Sequence, residues 1–434
     1  MARLFFATFW SIFFVGAVRK WMFPNFGLLY LAQDLPIALA YLYAFRAGFV
    51  RRTPLLWGFL LLSAVVMLQA FTQMLVLGLP PLVTLVGLHH YIFYIPIMII
   101  FPTVLNEFQR RKFIVWNMLL VIPTAVIAVM QSVSPKTAFI NLTAGGEAMG
   151  VSGSDVVRST GTFNFTVPYG LWVAIAFSLV VGEWLQPKQL RVLQSNLVMI
   201  VSSVAGCLCF LVAGGRSVIL LSTCALVGGM MAAVLKGSKR ALMTVAGGVI
   251  VMPMLVGLTA VIAPHEYDIL VLRFTGDRYV DEAQNRTATI AVGFLTDAPV
   301  SLLGVGIGMG IDAAHLGDPQ ALLYAYKYSE YDTTRIVTEA GTATGLLYVG
   351  TRLFFSFGMI LLCIHVVRRG GPPHVLPLGT AMFAQCYMGD LTRLGTSTFS
   401  QVALVYAFVL GAEIYSREQS TVRPDGMFNR TRFA

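Results

Sequence analysis

The chain is poor in charge and in cysteine. Only 12% of its 434 residues are charged and 57% are hydrophobic, which excludes an ordinary water-soluble domain, where about 25% are charged. The five cysteines lie in apolar runs without CxxC spacing, so no disulfide framework or zinc motif is predicted. The histidines form no ligand cluster and no paired-Asp sequence marks a divalent-cation site, so we predict no metal and no cofactor.

Two further features are missing. We find no internal repeat with a period of about 20 to 50 residues and no paired broken helices of the kind seen in many transporters. The net charge of +10 is scattered, without a continuous basic stripe interleaved with aromatic residues. Nucleic acid is therefore not predicted as a partner.

Long apolar runs dominate instead, and the mean hydropathy is +0.76. A helix needs about 20 apolar residues to cross a bilayer, and only helices and closed barrels satisfy their backbone in lipid. The sequence therefore predicts an all-α polytopic membrane protein with about twelve transmembrane helices. The predicted spans are 4–18, 27–45, 55–77, 83–105, 113–132, 168–185, 195–213, 216–235, 241–263, 341–366, 375–391 and 396–415.

The first predicted span is short, but no small-residue cleavage site follows it, and Arg19 and Lys20 come after the apolar run rather than before it. We expect a retained helix rather than a signal peptide.

Basic residues follow the even-numbered spans, and they place those connections in the cytoplasm by the positive-inside rule. They are Arg46, Arg51, Arg52, Arg110, Arg111, Lys112, Lys188, Arg191, Lys236, Lys239, Arg240, Arg368 and Arg369. Both termini are then cytoplasmic, and the two long connections lie outside. The predicted organisation is helices 1 to 5 in 1–132, a first outer loop in 133–167, helices 6 to 9 in 168–263, a large outer loop in 264–340, helices 10 to 12 in 341–415 and a cytoplasmic tail in 416–434.

The large outer loop ends in SEYDTTRIVTEAG, a cluster of charge in a weakly charged chain. On a single helix over 330–341, Arg335 and Glu339 share a face at i, i+4, while Glu330 points nearly opposite. Either Arg335 and Glu339 form a surface pair worth about 0.3–0.5 kcal/mol and Glu330 is solvated, or the cluster lines a catalytic cavity.

Several arginines lie where the positive-inside rule disfavours a cation. Arg158 begins RSTGTFNFTVPYG, Arg216 lies in the short turn GGRS, and Arg19 and Lys20 follow the first span. An outward cation at a helix end usually has an anionic partner, either a protein carboxylate or a phosphate. The glycines of PVSLLGVGIGMG (299–310) indicate either a phosphate-binding loop or a tightly packed one, since no strand-turn-helix context surrounds them.

Polar residues at membrane depth leave two alternatives open. Asp34, in the second span, is expected to pair with Arg19 or Lys20 or to face a substrate cavity. His89 and His90, in the fourth span, either pack inside the bundle or face a cavity. Asp390 and Arg393, at the outer end of the eleventh span, are candidates for its rim.

The order of these motifs resembles the O-antigen ligase and polymerase superfamily, bacterial membrane glycosyltransferases that use polyprenyl-diphosphate-linked sugars. RSTGTFNF, GGRS, Arg286 followed by PVSLLGVGIGMG, and EAGTATGLLYVG are similar to the family's landmark stretches in family order, and VRKWMFP is similar to a stretch in some polymerase-like members. Ligases of the family carry a His about nine residues before the Glu of Glu-x-Gly. That position is Glu330 here, so the chain resembles the polysaccharide-polymerase branch.

The resemblance implies an inverting, metal-independent glycosyltransferase of the bacterial inner membrane, with a periplasmic active site. It would polymerise undecaprenyl-diphosphate-linked oligosaccharide repeat units into exopolysaccharide or O-antigen, alongside a chain-length regulator and a flippase as partners. Because guanidinium groups bind phosphate bidentately, Arg158, Arg216 and Arg286 are the candidate diphosphate-binding residues. Glu330, Arg335 and Glu339 are the candidate catalytic residues, with Glu330 or Glu339 as general base.

Three alternatives remain at this stage. A ligase would move a finished glycan to a lipid acceptor, and a non-catalytic subunit of an export complex would not depend on the charged outer residues. A polytopic transporter would also have about twelve spans, but it needs charges at mid-depth rather than a large outer loop.

Overall fold

The computed structural model describes residues 1–48, 53–143, 157–237, 292–311, 331–392 and 396–422, together with isolated positions between 239 and 289. The regular secondary-structure elements of these residues are all helices, as the apolar runs predict. The α-helices are α1 Ala2–Ala17, α2 Asp34–Arg46, α3 Pro54–Leu77, α4 Pro81–Ile92, α5 Ile97–Ile100, α6 Glu107–Val133, α7 Thr166–Leu185, α8 Asn196–Val212, α9 Arg216–Leu235, α10 Asp332–Ala340, α11 Thr342–Arg368, α12 Val375–Met388 and α13 Thr396–Val422.

Eight stretches among the described residues are long and apolar enough to cross a membrane. They are Ala2–Met22, Pro54–Leu77, Pro81–Val104, Glu107–Val133, Thr166–Leu185, Ser217–Leu235, Thr342–Arg368 and Ser397–Arg417. The helices α8 and α12 are apolar but shorter. A multi-pass α-helical membrane protein is therefore confirmed, whereas the count of twelve spans and their orientation stay predictions.

Two predicted spans need separate comment. The second, 27–45, is a 3₁₀ turn over Gly27–Gln33 followed by the 13-residue helix α2, and so it is not one long helix. The ninth, 241–263, and the large loop that follows it lie mostly outside the described residues.

The helix ends follow from local sequence. The helix α3 starts after Thr53, whose Oγ1 accepts from the Leu56 amide at 3.3 Å, and Pro54 occupies its first turn, where no amide donor is needed. It stops at Gly78, whose φ of 67° is readily adopted only by glycine. In the same way Asn106 caps α6 by accepting from the Gln109 amide at 3.1 Å.

Burial separates central from peripheral helices. The helices α7 and α13 are almost entirely buried, whereas most residues of α3 and α11 are at least partly exposed. Since lipid is as apolar as a protein core, the exposed side chains of Leu61 and Phe354 can face lipid and need not be covered by other protein side chains.

Several helix termini meet at one end of the bundle, which we call the loop end. There α1, α6 and α8 finish and α7, α9 and α11 begin. Contacts between their connecting segments build the site described next.

Candidate functional site

The charged stretch recognised in the sequence folds into α10, and all nine of its residues are buried. Asp332 and Glu339 lie three residues before and four after Arg335, so one helical face carries all three. Arg335 Nη2 lies 2.8 Å from Asp332 Oδ1, and its Nη1 lies 2.6 Å from Glu339 Oε1. We call these three residues, with Arg352 and Thr392, the Arg335 cluster.

Neighbouring helices complete the Arg335 cluster. Arg352 of α11 forms an ion pair with Asp332 Oδ2 and donates to the Gly389 carbonyl at 3.1 Å. Thr392 donates its hydroxyl to Asp332 Oδ1 at 2.7 Å and its amide to the same oxygen at 3.3 Å. The cluster thus ties α10, α11 and the α12–α13 connection together.

The glycine-rich loop wraps around Glu339. The amide of Gly310 donates to Glu339 Oε1 at 2.6 Å, and the hydroxyl of Tyr91 donates to Oε2 at 2.8 Å. Gln73 of α3 clamps the same loop, because its Nε2 donates to the Glu339 carbonyl at 2.7 Å and its Oε1 accepts from the Ile307 amide at 2.8 Å. The loop therefore binds a protein carboxylate, which confirms the tightly packed alternative over a phosphate loop.

Electrostatics fixes the charge states of the Arg335 cluster. Burial alone would raise the pKa of Asp332, but the Arg352 and Arg335 guanidiniums and the bond from Thr392 outweigh it and hold that pKa well below its usual range. Burial would likewise lower the pKa of Arg335, and the charges of Glu339 and Asp332 raise it instead. Asp332 and Arg335 are therefore ionised and paired with each other.

The predicted surface pair therefore exists, but in the interior. Arg335 and Glu339 are joined at i, i+4 as expected, yet their side chains are only 2% and 1% exposed. The two side chains are therefore not a solvated surface pair, and the alternative that they line a catalytic cavity stays a prediction. The predicted helix over 330–341 starts at Asp332. Glu330 and Arg286 lie outside the described residues.

A second group of cations lies at the end of α1, and we call Arg19, Lys20 and Arg158 the Lys20 cluster. Lys20 is 1% exposed, and its Nζ donates to the Gly161 carbonyl at 2.6 Å and to Thr160 Oγ1 at 3.0 Å. Its ammonium also lies 4.8 Å from the centre of the Trp21 ring. The partners of this buried cation are neutral.

Arg19 reaches the same segment. With the Asn164 amide oriented so that both of its polar atoms are satisfied, its nitrogen donates to the Gly16 carbonyl at 3.2 Å and its oxygen accepts from Arg19 Nη1 at 2.9 Å. Gly16 has no room for a side chain here, because a Cβ would lie 2.3 Å from the Thr162 carbonyl oxygen. The segment 158–165 is thus held tightly against the end of α1.

A glutamine of α6 makes that segment rigid. Gln131 Oε1 accepts from the amides of Thr160 and Gly161 at 3.0 and 2.8 Å. Ser159 donates to the Ala128 carbonyl at 2.7 Å. The segment therefore forms a structured turn before α7, and Arg158 lies at its start.

Arg158 packs against the turn between α8 and α9. Its Cγ lies 3.5 Å from the position a Gly214 Cβ would occupy, and Gly214 has a φ of 59°. Two residues later α9 begins at Arg216, with no side-chain cap on its first turn. Two of the three predicted diphosphate-binding positions, 158 and 216, are therefore neighbours around this turn.

A histidine network lies between the two clusters. Asp34 does not pair with Arg19 or Lys20 as predicted. Its Oδ2 lies 3.0 Å from His89 Nε2, and its Oδ1 accepts from the Tyr94 hydroxyl at 2.7 Å. Its partners come instead from α4 and the turn that follows it, because His89 and Tyr94 pack directly against the start of α2.

A hydrogen bond links this network to the Arg335 cluster. His90 Nδ1 lies 2.6 Å from the carbonyl oxygen of Thr392. The packing alternative is confirmed for His90, which is 2% exposed, whereas His89 keeps one side partly open.

Sequence reasoning missed the roles of Gln73, Tyr91, Gln131 and Arg352. Each stands in an apolar helix far along the chain from its partner, as in the pairing of Gln131 with the 160–161 amides. A polar side chain in an otherwise apolar span was the only signal that marked them.

The described residues contain no group of three or more His, Cys, Asp or Glu side chains arranged for a metal ion. Neither a comparison with models of known protein families nor one with curated proteins finds a match for this chain.

Proposed function

We propose that the protein is an integral-membrane glycosyltransferase that polymerises undecaprenyl-diphosphate-linked oligosaccharide repeat units into exopolysaccharide or O-antigen. The single observation that carries the proposal is the Lys20 cluster, in which cations from separate segments meet on the segment 158–165. Lys20 Nζ lies 2.6 Å from the Gly161 carbonyl, three residues after Arg158.

Charge argues for an anionic ligand at this place. A buried ammonium costs several kcal/mol unless it is compensated, and the neutral oxygens that hold Lys20 compensate it only in part. The start of α9 has no side-chain cap, and the N-terminus of a helix favours a negative group. A diphosphate suits both the N-terminus of α9 and the planar guanidinium groups of Arg19 and Arg158.

The ligand's chemistry follows from the surroundings. A polyprenyl chain needs an apolar environment, which the lipid-facing helices supply, and its diphosphate then lies at the loop end. Bound there, the cations would stabilise the charge that develops on the leaving diphosphate as the glycosidic bond forms. Inversion and metal independence enter the proposal only from the family resemblance.

The Arg335 cluster takes a different part in this proposal. Its charges are satisfied internally, so it serves to hold the glycine-rich loop and the start of α11 in place. We therefore move Arg335 and Glu339 from direct catalysis to positioning, and we keep Arg216 and Arg286 as diphosphate-binding candidates.

A gene deletion tests the reaction class. A polymerase-deficient strain should lose long polymer and accumulate single lipid-linked repeat units, visible as the collapse of a glycan ladder on a gel. Long polymer retained on the lipid carrier but missing from its final acceptor would instead identify a ligase. An unchanged ladder would overturn the proposal.

The lipid-linked units from that strain provide the substrate for a test of the site. Arg158→Ala should lower kcat/KM of the purified protein about 10- to 100-fold, since a hydrogen bond to a charged group contributes about 1.5–3 kcal/mol. The matched control is Arg111→Ala, an exposed arginine at the opposite end of α6 paired with Glu107. Equal rates for Arg158→Ala and Arg111→Ala would remove Arg158 from the site.

A further inference from the structure

The exposed face of α4 is apolar at its start and becomes polar at His89. Leu82 and Leu85 of this face are 51% and 63% exposed, as lipid-facing side chains are. His89 follows four residues later, about 12 Å along the helix from Pro81, and its side chain is 20% exposed. A polar side chain at such depth is costly and generally functional.

The hydrogen bonds orient the His89 ring. With its proton on Nε2, His89 donates to Asp34 Oδ2 at 3.0 Å, the role that suits a carboxylate acceptor. The Tyr94 hydroxyl fixes the other carboxylate oxygen at 2.7 Å. The second ring nitrogen, Nδ1, is then the acceptor, and no hydrogen bond within the described part of the chain uses it.

We propose that His89 is the general base of the glycosyl transfer and that Asp34 is its positioning residue, an inference that rests on the function proposed above. His89 is partly exposed and shares a face of α4 with the exposed Leu82 and Leu85, the side from which a lipid-linked substrate would approach. His89 takes over the task that sequence reasoning gave to Glu330 or Glu339, the second of which is enclosed by Arg335 and Gly310.

The step balances without a further reactant. The hydroxyl oxygen of the acceptor sugar attacks the anomeric carbon of the donor, and its proton passes to His89 Nδ1. The bond from that carbon to the diphosphate oxygen breaks, and its electron pair leaves with the diphosphate toward Arg19 and Arg158. Asp34 stabilises the imidazolium that forms, which then releases its proton to water.

The placement also suits the leaving group. The turn Gly27–Gln33 leads directly into Asp34 and packs against α1. The positioning residue of the proposed base and the cation Arg19, which follows α1, therefore lie on neighbouring segments, as a base and a leaving-group site around one reacting carbon must.

Other titratable groups face this network and would shape its pH profile. The His90 ring lies 5.3 Å from the His89 ring, centre to centre. Tyr94 contacts both partners, while Tyr30 and Tyr41 interact with Asp34 electrostatically. A profile limited by His89 must therefore change when Asp34 is altered and stay the same when a distant histidine is altered.

The experiment measures repeat-unit transfer and binding of undecaprenyl diphosphate with the purified protein. His89→Gln should lower kcat about 100-fold or more, the usual contribution of a positioned base, with the Kd for undecaprenyl diphosphate within threefold of the unaltered protein. Asp34→Asn should shift the acidic limb of the pH–rate profile, where the rate falls because the base becomes protonated. The control is His365→Gln, an exposed histidine in the last turn of α11, which should leave rate and profile unchanged.

Chemical rescue separates catalysis from folding. Imidazole added to His89→Ala should restore turnover at least tenfold, an effect that a structural role would not produce. If the unaltered protein transfers repeat units and His89→Gln stays within threefold of its kcat, the base assignment is overturned while the proposed function stands. If the unaltered protein transfers none and the deletion strain keeps its polymer, the function itself is overturned. If His89→Gln fails to fold, an unshifted profile in Asp34→Asn overturns the assignment.

Discussion

Two groups of charge at the loop end differ in how they are neutralised. In the Arg335 cluster every guanidinium faces carboxylates, with Arg335 bound to Asp332 and Glu339 at 2.8 and 2.6 Å. In the Lys20 cluster the buried ammonium faces a carbonyl and a hydroxyl. Lys20 and Arg335 are similarly buried, at 1% and 2% exposure, but only Arg335 faces carboxylates.

The way each cluster is neutralised indicates whether its role is structural or ligand-binding. A closed set of charges holds helices together, and removing one member leaves the others buried and unpaired. A cation held by neutral oxygens leaves attraction available for an anionic ligand. Substitutions should therefore damage stability in the Arg335 cluster and ligand binding in the Lys20 cluster.

The largest effect is expected for Arg335→Ala. Because Asp332 and Glu339 would lose their shared partner in the interior, the free energy of unfolding should fall by about 3–5 kcal/mol. Unfolding of the detergent-solubilised protein measures it, with Arg111→Ala, in an exposed pair, expected to change it by about 0–1 kcal/mol. A stable Arg335→Ala protein that had lost only transfer activity would restore the direct catalytic role predicted from sequence.

A glycine of the loop around Glu339 tests the same packing without removing charge. Gly308 has a φ of 100°, and a Cβ there would lie 2.2 Å from the Val83 carbonyl oxygen. Gly308→Ala should destabilise the protein by about 1–3 kcal/mol and increase hydrogen exchange over 304–310. Gly206→Ala, in the interior of α8 with nothing within 4 Å of its Cβ, should instead be neutral or stabilising by up to about 1 kcal/mol. Equal changes in stability for the two variants would contradict the tight packing of Gly308 against Val83.

The sequence predicted features that depend on neighbouring residues of one helix, but it did not predict contacts between elements that are distant along the chain. Hydropathy located α3, α7 and α11, and the i, i+4 spacing paired Arg335 with Glu339, because both depend on neighbours along one helix. The partner of Asp34 was predicted wrongly, since no spacing rule reveals that α4 carries His89 to α2. The burial of Arg335 was missed for the same reason, as Arg352 and Thr392 come from other elements.

Lys20→Met should show the opposite pattern to Arg335→Ala. Methionine keeps much of the side-chain volume and removes the charge, and two neutral acceptors are the groups left behind. Because those acceptors lose their donor, we expect the free energy of unfolding to fall by at most about 1–3 kcal/mol. Binding of undecaprenyl diphosphate should become roughly tenfold weaker, a difference of about 1.4 kcal/mol. Binding that is unchanged, at low and at high salt, would exclude Lys20 from the ligand's electrostatic field.

The smallest effect is a dependence on pH within the Arg335 cluster. Because the pKa of folded Asp332 is held below its usual value of 3.8, its contribution to stability is fully present above that value and is lost as the pH falls below it. The stability difference between the unaltered protein and Asp332→Asn should be constant from pH 8 to about pH 4 and then shrink by up to about 1.4 kcal/mol per pH unit. A difference that already shrank near pH 6 would mean that Asp332 is protonated in the folded protein far above the range its two arginines impose, and the closed character of the cluster would then be wrong.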